Sequence, residues 1–77
     1  MDERLRRDIA ENYSGWERIT GTFWQDGTPW ELWKFEHDVE HDGKWWRCVI
    51  IEKATLDKDD WSALDYAEDI FAEAWEL

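Results

Sequence analysis

The sequence has very little cysteine, few basic residues and no long hydrophobic run, and each shortage excludes a class of protein. The one cysteine, Cys48, cannot form an internal disulfide, and a single thiol fits a reducing cytosol. No apolar stretch approaches the roughly 18 residues of a membrane-spanning helix. The charged segment 1–12 is followed by no apolar run of the signal-peptide kind. We therefore expect a cytoplasmic protein.

Basic residues are outnumbered by acidic ones, 9 to 20, so the 77-residue chain carries a net charge of −11. Nucleic-acid binding depends on neutralising phosphates, so direct binding to nucleic acid is disfavoured, as is binding to an anionic membrane. A basic protein surface would be attracted. Tryptophan, in contrast, is abundant, with eight residues. Because disordered chains are poor in aromatics, we expect one folded domain over residues 1–77.

Hydrophobic periodicity predicts an α+β fold with the element order α-β-β-β-α. Three alternating segments separated by turn signals predict a three-stranded antiparallel β-meander. Helical spacing on either side predicts a short N-terminal helix and a C-terminal helix packed on one face of the sheet. The predicted segments are 3–13 for the first helix, 16–24, 30–40 and 45–52 for the strands, and 57–77 for the last helix.

The two turns decide which side chains share a face of this sheet. A two-residue turn at Asp42-Gly43 is the strongest short hairpin signal. Around Gly27, an odd loop keeps the two faces distinct, whereas a two-residue Asp26-Gly27 turn mixes them. The resulting pairs are Val39–Trp46, His37–Cys48, Phe35–Ile50 and Ile19–Phe35 on one face, and Glu40–Trp45, Asp38–Arg47, Glu36–Val49 and Trp24–Trp30 on the other.

One face is predicted to form the core, under the C-terminal helix. Its members are Ile19, Phe23, Trp33, Phe35, Val39, Trp46, Cys48 and Ile50, covered by Trp61, Leu64, Phe71 and Trp75 of that helix. The opposite face mixes charged residues with four tryptophans, which are the predicted aromatic partner-binding residues: Trp16, Trp24, Trp30 and Trp45. The N-terminal helix, a second copy of the chain or a different protein could cover that face.

The predicted C-terminal helix is strongly acidic, since residues 54–77 hold eight acids and one base. Asp65, Asp69 and Glu73 would follow one helical line, with successive carboxylates about 6 Å apart along the axis, close to the spacing of phosphates. The pattern predicts a carboxylate array that occupies a basic nucleic-acid channel, or an ordinary solvated face. The acidic partner-binding residues are Asp65, Glu68, Asp69, Glu73 and Glu76.

Catalytic and metal-binding motifs are not evident in this sequence. His37 and His41 would lie about 13 Å apart along a strand, too far to share one ion. There is no Ser-His-Asp order, phosphate-binding loop or cysteine cluster. The sequence therefore predicts a protein that is not an enzyme and holds no cofactor and no metal.

A small, strongly acidic, tryptophan-rich chain resembles the inhibitors encoded by phages and mobile elements, of the anti-CRISPR and DNA-mimic kind. The resemblance is one of overall character and transfers no residue roles. It implies a non-enzymatic protein-binding inhibitor that blocks the nucleic-acid site of a Cas effector in a bacterial cytoplasm. Two alternatives stay open: a self-associating structural or regulatory module with a tryptophan-rich homodimer interface, and a small-ligand or carbohydrate binder that stacks on the four tryptophans.

Overall fold

The described residues form a single antiparallel sheet with one helix on one of its faces. The computed structural model describes residues 1–55 and 67–77. The strand order in the sheet is β1-β3-β4-β5, and β2 also pairs with β3. The elements are α1 (Glu3–Asn12), β1 (Glu17–Arg18), β2 (Phe23–Gln25), β3 (Thr28–His41), β4 (Lys44–Thr55) and β5 (Glu68–Glu76).

Helix α1 begins where the sequence predicts a helix, and its start is capped. The Asp2 side chain accepts hydrogen bonds from the backbone N–H groups of Arg4 and Leu5, at 2.8 and 3.2 Å. These bonds satisfy two of the amides that a helix leaves without partners at its N-terminus. Leu5 and Ile9, one turn apart, are both buried. The helix therefore presents one apolar stripe to the sheet.

The long hairpin of β3 and β4 has the predicted register. Asp42 and Gly43 form a two-residue turn with φ angles of +53° and +75°, the left-handed conformation that such a turn requires. All six predicted pairs between the two strands are present, including Phe35 with Ile50 and Val39 with Trp46. The face assignment of the central two strands is therefore confirmed, and Trp45 and Trp46 lie on opposite faces.

The prediction for the first hairpin is wrong. Asp26 and Gly27 form a two-residue turn, so Phe23, rather than Trp24, pairs with Trp30. The odd loop was predicted to keep the faces distinct along a continuous strand, but the strand is interrupted. Residues 19–22 lie opposite only two residues of β3, because β1 pairs in a different register from β2.

A side-chain hydrogen bond takes the place of the missing ladder at this interruption. The hydroxyl of Thr20 accepts a hydrogen bond from the backbone N–H of Leu32 at 2.9 Å, and Ile19 N–H donates to the Leu32 carbonyl at 2.9 Å. Ile19, predicted to lie in the core, is 44% exposed as a result. Phe23 shares the face of its partner Trp30 and also lies outside the predicted core.

The predicted C-terminal helix is wrong, because residues Glu68–Glu76 form strand β5 along β4. Ala72 pairs with Ile50 and Ala74 pairs with Cys48. Alanine and glutamate favour helices intrinsically, but β4 offers a complete edge of backbone donors and acceptors, and long-range pairing prevails. Over residues 1–55 and 67–77 the fold is therefore mostly β with one short helix, and the sheet has five strands where three were predicted. Trp61, Leu64 and Asp65 of the predicted helix lie outside the described residues.

The core lies between α1 and one face of the sheet. Its buried side chains are Leu5 and Ile9 of the helix and Phe35, Val39, Cys48 and Ile50 of the sheet. The predicted core face is thus correct in β3 and β4, but α1 covers it in place of a C-terminal helix. Ala72 and Ala74 of β5 extend this core toward the edge of the sheet. Helix α1 has ten residues and lacks the length and apolarity to cross a membrane.

Candidate functional site

The sheet face opposite α1 is the most distinctive surface of the protein. We call it the open face, because no described element packs on it. Strand alternation places even-numbered residues of β3 and odd-numbered residues of β4 on this face. In β5 these residues pair with Phe71, Glu73 and Trp75 and, beyond a register shift at Ile51/Glu52, with Glu68, so that Asp69 lies on the helix side. The main members of the open face are Phe23, Trp30, Leu32, Lys34, Glu36, Asp38, Glu40, Trp45, Arg47, Val49, Ile51, Lys53, Glu68, Phe71, Glu73 and Trp75.

Half of the open face is apolar and aromatic. Trp45, Phe71 and Trp75 are 53, 42 and 48% exposed, which is high for such large apolar side chains. Phe71 pairs with Ile51, and Trp75 pairs with Arg47, next to Trp45 on β4. With Val49 and Ile51 between them, these residues form what we call the aromatic patch. A contiguous exposed patch of this kind is typical of an interaction surface.

The alternation of β5 explains how the aromatic patch forms. In the run Phe71-Ala72-Glu73-Ala74-Trp75, the two alanines are partly buried toward the core and the other three side chains are exposed. Small residues fit beside the helix, so the large rings are left on the open face. Sequence reasoning assigned Phe71 and Trp75 to the core through helical spacing, although the period-two alternation of large and small residues was the signal for a strand.

The other half of the open face is charged, and its cations are largely neutralised. Arg47 Nε lies 2.8 Å from Asp38 Oδ1, and Lys34 Nζ lies 3.3 Å from Glu36 Oε2. Within residues 1–55 and 67–77, neither Glu40 nor Glu73 has an ion-pair partner. The charge left unpaired beside the aromatic patch is therefore negative.

The predicted aromatic residues do not all reach the open face. Trp45 and Trp30 do, but they lie about 33 Å apart, since Trp30 pairs with Thr55, ten residues along β4 from Trp45. Trp30 is stacked under Lys53, whose Nζ lies 4.4 Å from the ring centroid. Trp24 pairs with Pro29, so it lies on the face opposite Trp30 and is 70% exposed.

Trp16, also predicted on the open face, packs against the core instead. Its ring centroid lies 5.4 Å from that of Phe35. The guanidinium of Arg6 lies 5.3 Å from the Trp16 ring on the helix side of the sheet. Trp16 therefore closes the end of the core beyond α1. Its placement leaves Trp45 as the predicted tryptophan that belongs to the aromatic patch.

The predicted line of carboxylates does not form among the described residues. Asp65 lies outside them, and Asp69 and Glu73 are on opposite faces of β5. Asp69 accepts two hydrogen bonds from Arg6, at 2.8 and 2.9 Å. Glu68 lies 3.8 Å from Lys53 Nζ, and Glu76 lies 3.6 Å from Lys44 Nζ. Glu73 is therefore the predicted acid that remains available beside the aromatic patch.

A cleft lies on the helix side of the sheet, beyond the end of the core. This cleft has a volume of about 430 Å³ and is walled by Trp16 and Trp33. Two buried carboxylates line it: Glu31, 2.8 Å from Arg18 Nη1, and Glu52, 3.1 Å from Arg6 Nη2. Arginines of this chain therefore already pair with both carboxylates, and neither Glu31 nor Glu52 is free to bind a cationic ligand without giving up its arginine. Sequence reasoning missed both ion pairs.

Glu52 is the acid in this cleft whose titration is altered by the fold. Burial raises the pKa of Glu52 above its usual range, and the neighbouring Arg6 offsets this only in part. A carboxyl with a raised folded-state pKa favours folding while it is protonated, and that contribution is lost as the pH rises through the folded-state value. At neutral pH the charged Glu52 side chain therefore lowers stability.

We expect Glu52→Gln to increase the free energy of unfolding at pH 7, with a gain that shrinks as the pH falls from 7 into the acidic range and the Glu52 carboxyl becomes protonated. Glutamine keeps the shape and an acceptor for Arg6 but never carries the buried charge. Urea denaturation across this pH range measures the effect. Glu40→Gln, which removes the same charge from an exposed side chain, is the matched control. A loss of stability at pH 7 would show that pairing with Arg6 outweighs burial.

The two histidines have structural partners. His37 Nε2 lies 3.0 Å from the Gly15 carbonyl, where the positive φ of Gly15 brings the backbone against the imidazole. His41 Nδ1 lies 3.0 Å from Asp8 Oδ2, and this hydrogen bond lowers the pKa of Asp8. Among the residues that the structure describes, no three His, Cys, Asp or Glu side chains converge as metal ligands would.

Comparisons with known proteins place this chain in no group. No protein-family model, no curated protein and no solved structure matches it.

Proposed function

We propose that this protein is a non-enzymatic inhibitor that binds another protein through the aromatic patch and blocks the surface it covers. The observation that carries the proposal is the exposure of Trp45, Phe71 and Trp75 together on a face that no described element covers. Aromatic side chains of this size dominate the energetics of interfaces. A patch that loses its water against a partner would gain the most free energy at these three rings.

The charge of the chain selects a basic partner. The net charge is −11, and the two carboxylates without ion-pair partners within the described open face, Glu40 and Glu73, lie on either side of the β4 part of the patch. Lys and Arg side chains on a partner would meet them, and the field of the whole chain would speed the encounter. A nucleic-acid-binding protein presents such a surface.

In its specific form, the proposal keeps the partner class predicted from the sequence. The partner is a Cas effector in the cytoplasm of a bacterial host, and the protein is an anti-CRISPR inhibitor. The mechanism differs from the one predicted, since the acidic segment Glu68–Glu76 is a strand and not a helix that could enter the nucleic-acid channel. Instead the aromatic patch anchors the complex, Glu73 and Glu40 engage basic residues, and the body of the sheet excludes nucleic acid sterically.

The test is inhibition of DNA binding by a panel of purified guide-loaded Cas effectors. In the complex that forms, we expect Trp75→Ala to weaken binding by about 2 kcal/mol or more, the scale of a central interface anchor. Trp24→Ala, which removes the same side chain from the opposite face, should change binding by less than about 0.5 kcal/mol. Binding should also weaken as salt is raised, because charge contributes to it.

Two results would contradict the proposal. Equal effects of Trp75→Ala and Trp24→Ala would show that the aromatic patch is not the contact. A mass in solution of twice the 9.4 kDa chain, reverting to the monomer on Trp75→Ala, would show that the patch joins two copies of the chain. Circular dichroism of both variants checks that the sheet is retained.

A further inference from the structure

Strand β5 lies at an edge of the sheet, and its outward backbone groups can be identified. The two-residue turn makes His41 and Lys44 a hydrogen-bonded pair, so alternation directs odd-numbered residues of β4 toward β5. The Leu77 N–H donates to the Trp45 carbonyl at 3.0 Å, which confirms that the backbone groups of odd-numbered residues of β4 and β5 face each other. The N–H and C=O groups of Ala72, Ala74 and Glu76 therefore point away from the sheet.

These outward groups form a row that is almost unoccupied. Within residues 1–55 and 67–77, their one hydrogen-bond partner is the amino group of Met1, 3.4 Å from the Ala72 carbonyl. The opposite edge of the sheet differs, since β1 and β2 pair there and the Tyr13 hydroxyl donates to the Glu40 carbonyl at 3.0 Å. An edge with free donors and acceptors is a template for another strand.

The side chains along this edge favour a basic strand over a second copy of β5. Residues 67–77 contain four acids, Glu68, Asp69, Glu73 and Glu76, and no lysine or arginine. Pairing two copies of β5 would bring acids together, and like charges on neighbouring strands are destabilising.

We propose that the free edge of β5 accepts an extended basic segment of a partner protein as an additional antiparallel strand. This proposal rests on the proposed function and specifies how the basic partner is held. Backbone hydrogen bonds to Ala72 and Ala74 align the segment, and side-chain contacts select it. On the open face its residues lie opposite Phe71, Glu73 and Trp75, so they are apolar, basic and apolar in turn. The added strand enlarges the aromatic patch.

The test uses the full chain, labelled with ¹⁵N, and a seven-residue capped peptide, Thr-Val-Thr-Lys-Thr-Val-Thr. Its lysine is designed to lie opposite Glu73, and its valines opposite Phe71 and Trp75. A second peptide is N-methylated at the two threonines beside the lysine, which removes the donors aimed at β5 but keeps every side chain. A third carries glutamate in place of the lysine. Titration followed by amide chemical shifts detects millimolar binding.

We expect the first peptide to shift the amides of Ala72, Ala74 and Glu76 and to slow their exchange with solvent. N-methylation should weaken binding by at least about tenfold, because two backbone hydrogen bonds are lost. The glutamate peptide should also bind more weakly than the lysine peptide, because its carboxylate would lie opposite Glu73. Ala74→Pro, which removes one outward N–H, should have an effect similar to N-methylation.

Equal binding of the N-methylated peptide would overturn strand addition while leaving the aromatic patch, and so the proposed function, intact. Failure of the first peptide to bind would also overturn strand addition. Dimerisation of the chain through β5 would do the same. Loss of partner binding on Trp75→Ala tests the proposed function separately. The peptide comparison needs no protein variant, so it stands even if Ala74→Pro does not fold.

Discussion

Phe35→Ala is expected to destabilise the protein by about 3–5 kcal/mol, the usual cost of removing a fully buried phenylalanine side chain. Phe35 has no exposed surface, and the rings of three other residues surround it, two from the segment between α1 and β1 and one from β3 itself. Tyr13 lies 6.4 Å away, Trp16 5.4 Å and His37 4.8 Å, between ring centroids. The substitution would therefore open a cavity at the junction of helix, connecting segment and sheet.

A loss of this size is comparable with the whole stability of a small domain, about 5 kcal/mol or slightly more. We therefore expect Phe35→Ala to be largely unfolded at 37 °C, which urea denaturation followed by circular dichroism would measure. Ile19→Ala is the matched control, because Ile19 is apolar but 44% exposed, and it should cost less than 1 kcal/mol, as surface substitutions usually do. Similar costs for the two variants would contradict the assignment of the core.

Proline substitutions in β5 are expected to differ sharply between neighbouring positions. The N–H of Glu73 points toward β4, where Glu73 pairs with Val49. Glu73→Pro removes that ladder bond and leaves its acceptor on β4 without a donor, so it should cost about 2–3 kcal/mol. The N–H of Ala74 points to the free edge, where proline is tolerated, so Ala74→Pro should cost about 1 kcal/mol or less. Chemical denaturation of the two variants measures the difference.

The same pair of variants separates a strand from a helix at this position. In the middle of a helix, each proline would break a backbone hydrogen bond and each would cost about 3 kcal/mol. Two equal and large losses would therefore contradict β5. Two small losses would show that residues 68–76 contribute little to stability, which would also contradict the pairing with β4.

The hairpin of β3 and β4 was predictable because its information is local. The Asp42-Gly43 turn fixes one register, and every pair in the two strands follows from it. Helix α1 was predictable for a similar reason, since Leu5 and Ile9 form one stripe directly after a capping aspartate. In both cases the residues that decide the structure are close together in the sequence.

Strand β5 was not predictable by the same reasoning, because its partner β4 supplies the decisive interaction. The segment from Glu68 to Glu76 is rich in alanine and glutamate, and its aromatic residues also fit a helical spacing. Only the alternation of Phe71, Glu73 and Trp75 with two alanines indicates a strand. The register of the first hairpin was predicted wrongly for another reason. The strand is interrupted at Thr20, and that interruption depends on a single side-chain hydrogen bond.

At the candidate site, too, the residues placed by local signals were predicted correctly and those placed by long-range pairing were not. Trp45 was correctly placed outside the core, because the Asp42-Gly43 turn sets its face. Phe71 and Trp75 were missed, because their position depends on β5. The ion pairs of Arg6 with Glu52 and Asp69 join residues that are distant in the sequence, and no local sequence pattern predicts them.

The most direct test of this account is a nuclear Overhauser measurement between Hα protons of β4 and β5. The aromatic patch and the free edge both exist only if residues 68–76 pair with β4. Hα protons approach closely at non-hydrogen-bonded antiparallel pairs, which here are Cys48 with Ala74 and Ile50 with Ala72. We predict strong Hα–Hα cross-peaks for both pairs. Their absence, with medium-range contacts of helical type between residues 68 and 76, would contradict the account.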